Sequence, residues 1–114
     1  MLPYQIDPST GTSYNCLMRI IAKRVLREFW EHHPDAEQPL QTWYKTTELA
    51  QWGTPADVKS DYRHASILPN NRVCFNIAGN KYWLIVKIEY TFRIVYIRFV
   101  GTHAEYDAID AATI

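Results

Sequence analysis

The stretch RVCFNIAGNKYWLIVKIEY (residues 72–90) decides the fold. From Tyr82 onward its apolar residues recur at every second position, which is typical of a strand with one buried face. Gly79-Asn80 is a tight-turn signal between two such strands. The pattern predicts strands over residues 72–78 and 81–90, and a third over residues 93–100 that Gly101 ends.

The middle strand should have a buried face and an outer face. The buried face is predicted to carry Tyr82, Leu84, Val86, Ile88 and Tyr90, and the outer face Lys81, Trp83, Ile85, Lys87 and Glu89.

Before this meander, apolar residues recur at helical spacing. A first helix is predicted over residues 19–33, with Ile20-Ile21 alternatively a short strand, and Pro34 ends it. Asp35 is the predicted N-cap of a helix over residues 36–51, and Thr54 that of a short helix ending near residue 62. Residues 103–111 read as a short C-terminal helix or turn. The fold class is therefore α+β, with N-terminal helices packed on an antiparallel β-meander.

Residues 1–17 differ from the rest, because Pro3, Pro8 and a Ser/Thr/Gly run give them the composition of a loop. We expect a flexible extension there and one domain over residues 18–114, with Met18 as a candidate native start. Neither cysteine has metal-binding or redox spacing, and neither a signal peptide nor a membrane-length apolar run is present. A cytoplasmic protein without cofactor or metal is expected.

The charges are distributed unevenly along the chain. Basic and acidic residues number 12 each, but residues 63–100 hold six basic residues and one acidic residue, Glu89. This part carries a net +5 and the remainder −5, which favours a polyanion-facing surface on the meander.

A cluster directly after the third strand contains Thr102, His103, Glu105, Tyr106 and Asp107. His103 can exchange protons near neutral pH, and Tyr106 follows three positions later, so one helical turn points both side chains to the same side. Such a pair beside arginines suits cleavage of RNA by its own 2′-hydroxyl, which needs a base, an acid and cations but no metal. The alternative is a capped terminal helix with a surface histidine and a packed tyrosine.

Several basic residues are candidates for contacting RNA. Arg98 shares the strand parity of Ile94 and Tyr96, so it is either a clamp for the scissile phosphate or part of a structural salt bridge. Lys81, Trp83 and Lys87 form a basic stripe with an aromatic residue on which a base can stack, or else a solvated face with Trp83 covered by the N-terminal segment. Arg63, His64 and Arg72 could extend the phosphate track, although surface loop residues are the simpler interpretation of His64.

Three segments resemble the HigB toxin family: RIIAKRVLREFWEHHPDA (residues 19–36), NRVCFNIAGNKYWLIV (71–86) and IRFVGTHAEYD (97–107). The resemblance extends over residues 18–114 and implies a RelE-like fold and an endoribonuclease that acts on mRNA, often at the translating ribosome. It implies a HigA-like antitoxin with a helix-turn-helix domain as the partner. The family's His and Tyr motif falls on His103 and Tyr106, its basic residue at the head of the meander on Arg72, and its turn lysine on Lys81.

The chain departs from the family pattern at two places. Trp83 stands where the family commonly has arginine, so the phosphate-binding role is lost or moved to Arg98 or Arg72. Residues 61–64 replace a proline-containing pattern. Two other functions therefore stay open: a catalytically weak relative that binds RNA or ribosomes, and an interaction domain that acts with its antitoxin in operator repression.

Overall fold

A computed structural model describes residues 18–114, so the predicted extension over residues 1–17 lies outside the described part. In chain order the elements are β1 (Arg19–Ile21), α1 (Lys23–His32), a 3₁₀ turn (Pro34–Ala36), α2 (Glu37–Glu48), α3 (Pro55–Asp61), β2 (Ser66–Leu68), β3 (Arg72–Ile77), β4 (Tyr82–Glu89), β5 (Ile94–Thr102) and α4 (His103–Asp107). The predicted α+β class, with helices before a meander and a short C-terminal helix, is confirmed.

The sheet is mixed and has five strands, in the order β1-β5-β4-β3-β2. Strands β3, β4 and β5 are the predicted antiparallel meander, while β1 pairs with β5 in parallel. The alternative reading of Ile20-Ile21 as a strand is therefore correct, whereas β2 was not predicted. A strand of three residues is too short to show a two-residue period, so pairing decides such elements.

Asp35 is not the N-cap of α2, contrary to the prediction. The cap position is Ala36, which makes no side-chain hydrogen bond, and α2 ends at Glu48. The Asp35 carboxylate instead pairs with the Lys81 ammonium and accepts a hydrogen bond from the Tyr82 hydroxyl at 2.6 Å. A charge-assisted bond to an ammonium is stronger than a bond to a main-chain N–H, which explains this choice.

Gly101 does not end the third strand, which continues to Thr102. It pairs with Trp83 across the sheet, and a Cβ atom added there would lie 2.6 Å from Phe99 Cζ and 2.7 Å from Glu105 Oε1. A larger residue at this position would have to displace the Phe99 ring or the Glu105 carboxylate, because both approach the backbone closely.

The core lies between the first three helices and one face of the sheet. Tyr82, Leu84, Val86 and Ile88 of β4 are buried there, as their alternation predicts. Trp43 of α2 and Trp52, which precedes α3, pack on Phe75 of β3 with ring centroids 5.4 and 6.0 Å away. No helix within residues 18–114 has the length and apolar character needed to cross a membrane.

Candidate functional site

The candidate residues lie mainly on the sheet face opposite these helices, which we call the outer face. Three rows of cross-strand neighbours form it: Asn76–Trp83–Gly101, Cys74–Ile85–Phe99 and Arg72–Lys87–Tyr96. The middle row is covered, since Ile85 is 0% and Cys74 4% exposed although both lie away from the main core. Burial raises the pKa of the Cys74 thiol to about 11. Tyr106 of α4 lies beside this row, with its ring centroid 6.5 Å from that of Phe99.

Helix α4 places two of the predicted catalytic residues over the first row. Thr102 is its N-cap: the Glu105 N–H donates to Thr102 Oγ1 at 3.3 Å, and the Thr102 N–H donates to Glu105 Oε1 at 2.8 Å. This reciprocal pair is a capping box, which starts a helix at the next residue. His103 is therefore the first helical residue, and Tyr106 follows one turn later.

His103 and Tyr106 both contact the indole of Trp83. The ring centroids are 4.2 Å apart for His103 and 5.0 Å for Tyr106, so the two rings meet on one support, as their spacing predicts. Trp83 Nε1 donates to Asn76 Oδ1 at 2.6 Å, which fixes the indole on the sheet. The N-terminal segment, which the alternative interpretation placed over Trp83, lies outside the described residues.

The polar atoms of this group belong to His103, Asp107 and Tyr106. His103 Nε2 lies 3.5 Å from Asp107 Oδ1, and both side chains are about two-thirds exposed. Burial, followed by the charges of Cys74 and Asp107, raises the pKa of Tyr106, so its phenol is a hydrogen-bond donor at neutral pH. Within residues 18–114 no three His, Cys, Asp or Glu side chains are grouped as metal ligands would be.

Arg72 and Arg98 form a second group on the outer face. Arg72 Nη2 and Arg98 Nε both donate to the main-chain oxygen of Ile114, at 2.7 and 3.2 Å. Arg98 is exposed rather than placed on an apolar face, because a β-bulge makes it the extra residue between Ile97 and Phe99. Its Nε donates to the Ile114 oxygen and not to a carboxylate side chain of the described residues.

The two predicted lysines occupy different places. Lys87 lies in the row of Arg72 on the outer face, with Nζ 3.3 Å from Glu89 Oε2. Lys81 belongs to the turn before β4 and is paired with Asp35 on the helix side of the sheet. The Asp35 carboxylate raises the pKa of Lys81, and the Lys81 ammonium, together with the Tyr82 hydroxyl, lowers that of Asp35.

Arg63 and His64 line a cleft of about 470 Å³ beside the first row. Asn76 and Asn80 also line it. Asn76 accepts the hydrogen bond of the Trp83 indole as well, so the cleft borders the support of His103 and Tyr106. The sequence named Asp107 only as a member of the C-terminal cluster, where its four-residue spacing from His103 was the signal for their contact, and it gave no signal for Asn76.

The structure thus brings His103, Tyr106 and Trp83 together, and separately Arg72, Arg98 and Lys87. The covered row of Cys74, Ile85 and Phe99 lies between the two groups. Trp83 and Lys87 are four residues apart on β4, which corresponds to about 13 Å along the strand. A single-stranded polyanion that follows β4 would pass both groups.

Comparison with known protein families agrees with this arrangement. The model of the HigB toxins, described as the RelE-like toxic component of a toxin–antitoxin system, matches residues 36–109, well over half of the chain. No curated protein matches the chain. Membership in such a system implies an antitoxin partner. The chain therefore belongs to the HigB toxin family and is a RelE-like toxin of a toxin–antitoxin system.

Proposed function

We propose that this toxin is an mRNA endoribonuclease that inhibits translation by cutting RNA through attack of a ribose 2′-hydroxyl. The observation that carries the proposal is the meeting of His103 and Tyr106 on the Trp83 indole, at an accessible edge of the outer face. Family membership and the basic residues of the outer face support it.

The reaction needs two proton transfers at one phosphodiester. His103 accepts the proton of the 2′-hydroxyl, whose oxygen then bonds to phosphorus. The bond from phosphorus to the 5′ oxygen breaks, and that oxygen receives a proton, for which the Tyr106 phenol is the nearest donor of this group. The products are a 2′,3′-cyclic phosphate and a 5′-hydroxyl, and the mechanism requires no metal.

Basic side chains position the strand and offset the phosphate charge. Arg98 would stabilise the charge on the scissile phosphate, because it lies closer to α4 than Arg72 does. Arg98 follows Ile97 on β5, whereas the row that contains Arg72 crosses β5 earlier, at Tyr96. Arg72, which converges with Arg98 on one oxygen, would contact the same phosphate, and Lys87 would bind a neighbouring one. Arg63 and His64 would contact the nucleotide in the adjoining cleft, and Trp83 would offer the exposed part of its ring. Lys81 can contact the RNA only if its ion pair with Asp35 is broken.

We further propose a HigA-like helix-turn-helix protein as the antitoxin, and mRNA, with or without the ribosome, as the substrate in the cytoplasm.

The test is mapping of 5′ ends after incubation of the toxin with mRNA, with and without translating ribosomes. His103→Ala and Tyr106→Phe should each slow cleavage by about 100-fold or more, because a positioned acid or base contributes about that much. His32→Ala is the matched control, since His32 is an exposed histidine at the end of α1. Cleavage at the wild-type rate by His103→Ala would overturn the assignment.

Two observations favour a second function, that of a weak relative that binds RNA or ribosomes without cutting. Trp83 replaces the arginine that the family commonly has, and the donors of Arg72 and Arg98 already bind Ile114. RNA binding without new 5′ ends would indicate this function. Toxicity on induced expression, with rescue by the adjacent gene, separates both from an interaction domain used only in operator repression.

A further inference from the structure

We infer that residues 110–114, the C-terminal segment, act as an internal competitor for RNA by filling the place of a phosphate oxygen between Arg72 and Arg98. We call this place the arginine notch. The inference rests on the proposed function, because it assumes that the same two arginines bind the RNA backbone.

The notch has the geometry of an oxyanion site that is already occupied. Two guanidinium groups from different strands converge on one oxygen, that of Ile114, at 2.7 and 3.2 Å. Arginine recognises phosphate with the same donors. In addition, Arg72 Nε is buried and has no hydrogen-bond partner within residues 18–114, so the notch retains donor capacity that the Ile114 oxygen leaves unused.

The C-terminal segment is built to hold this position. Asp110 starts a turn in which its carboxylate accepts the Ala112 N–H at 3.1 Å and its carbonyl accepts the Ile114 N–H at 3.1 Å. Asn70 Nδ2 donates to the Ala112 carbonyl at 3.0 Å and anchors the turn to the loop before β3. Ala111, Ala112 and Ile114 are partly buried.

Displacement of the segment by RNA would exchange the Ile114 oxygen for the oxygens of a phosphate. A phosphate offers several acceptor oxygens to the two guanidinium groups and can also engage Arg72 Nε, so RNA can replace the segment in the notch. The segment must first leave the notch, however. The apparent affinity for RNA is therefore lowered, because only the molecules with an open notch can bind it there. The segment would therefore lower RNA affinity without abolishing it.

The test compares proteins with and without a docked segment. One variant lacks residues 111–114. A second, Asn70→Gly, removes the anchor in the full-length chain, and Asn71→Gly is its control. Both asparagines have positive φ, 60° and 62°, so glycine suits both positions equally, but only Asn70 holds the segment. The probe is a fully 2′-O-methylated oligoribonucleotide, which cannot be cleaved, and the readout is its anisotropy over a range of salt concentrations.

The deletion and Asn70→Gly should bind the probe about tenfold more tightly than the wild type, whereas Asn71→Gly should not. The slope of log affinity against log salt should steepen by about 0.7 for each phosphate newly contacted. Arg72→Ala in the deletion background should remove the gain. Unchanged affinity in both segment variants would overturn the inference, and so would weaker binding, which would make the segment part of the RNA platform.

Cleavage of all-ribose RNA separates this inference from the proposed function. If the full-length protein cleaves through His103 while the segment variants bind the probe as the wild type does, the competitor role of the segment is wrong and the ribonuclease function is supported. If the deletion binds the probe more tightly but neither form cleaves RNA, the competitor role is supported and the ribonuclease function is wrong.

Discussion

Trp83 shows what a single residue does at the outer face. Its sequence context suggested a ring for stacking RNA bases, yet His103 and Tyr106 occupy much of its surface, and Asn76 fixes its indole nitrogen. Its first role is therefore to position two side chains of α4. In relatives with arginine at this position, the same space would hold a cation.

Trp83→Ala should lower the single-turnover cleavage rate about 100-fold with little change in affinity for uncleavable RNA, because small misplacements of reacting groups cost about that factor. Trp83→Phe keeps a ring but loses the hydrogen bond to Asn76, so its cleavage rate should lie between those of the wild type and Trp83→Ala. A loss confined to affinity would instead identify a base-stacking residue. Higher activity in Trp83→Arg would identify the departure from the family pattern as attenuation.

Asp35 gives a second prediction at this scale, for stability against pH. Its pKa lies below the ordinary 3.8 in the folded protein because of Lys81 and Tyr82, so its stabilising effect is present above about pH 4 and is lost as pH falls through the lowered value. Asp35→Asn should lower the urea midpoint at pH 7 and converge with the wild type in acid. Glu37→Gln, an exposed acid next to it, is the control. A gap that persists at pH 2 would contradict this origin.

At the scale of elements, α4 is short and depends on its first turn. The capping box of Thr102 and Glu105 satisfies N–H groups that five helical residues leave unpaired, and the glycine at position 101 lets Phe99 and Glu105 approach. The helix carries His103 and Tyr106 and packs on β4 and β5. Its local stability should therefore control activity more than it controls global folding.

Thr102→Ala should cost about 1 kcal/mol in local helix stability and lower cleavage severalfold. The chain contains a matched control, because Thr54 caps α3 with the same box, closed by Asp57. Thr54→Ala should reduce the free energy of unfolding by a similar amount without slowing cleavage. Equal effects of both variants on cleavage, measured alongside urea unfolding, would show that global stability is responsible.

For the molecule as a whole, the mixed sheet separates two tasks. One face holds the helices and the core, and the other carries Arg72, Lys87 and Arg98 of the meander, with Tyr106 of α4 beside Phe99 of the middle row. A net charge of zero for the chain thus does not describe this face, which carries three basic side chains.

This separation predicts how salt affects RNA binding. Lys87→Ala should lower the slope of log affinity against log salt by about 0.7, the value for one phosphate contact on a single strand. Lys45→Ala, which removes an exposed lysine from α2 on the helix side, should leave the slope unchanged. Equal slopes for both variants would place RNA elsewhere than on the outer face.

The sequence alone determined the local elements whose signal is short-range. The alternation in β4, the turn at Gly79-Asn80 and the Thr54 cap all depend on neighbours within a few residues, and the structure has each of them. The spacing of His103 and Tyr106 likewise placed both on one side of a helical turn. The family resemblance added the toxin assignment, which the match over residues 36–109 shows.

Only the tertiary structure decided the contacts that join distant parts of the chain. Asp35 prefers Lys81, which is 46 residues away, to its own helix, and the bulge that exposes Arg98 exists only in the register with β4. The hydrogen bonds from Arg72 and Arg98 to Ile114 join β3, β5 and the C-terminal segment, which are far apart in the sequence. Such contacts leave no period in the sequence, because their energies depend on which groups the folded chain brings within hydrogen-bonding distance.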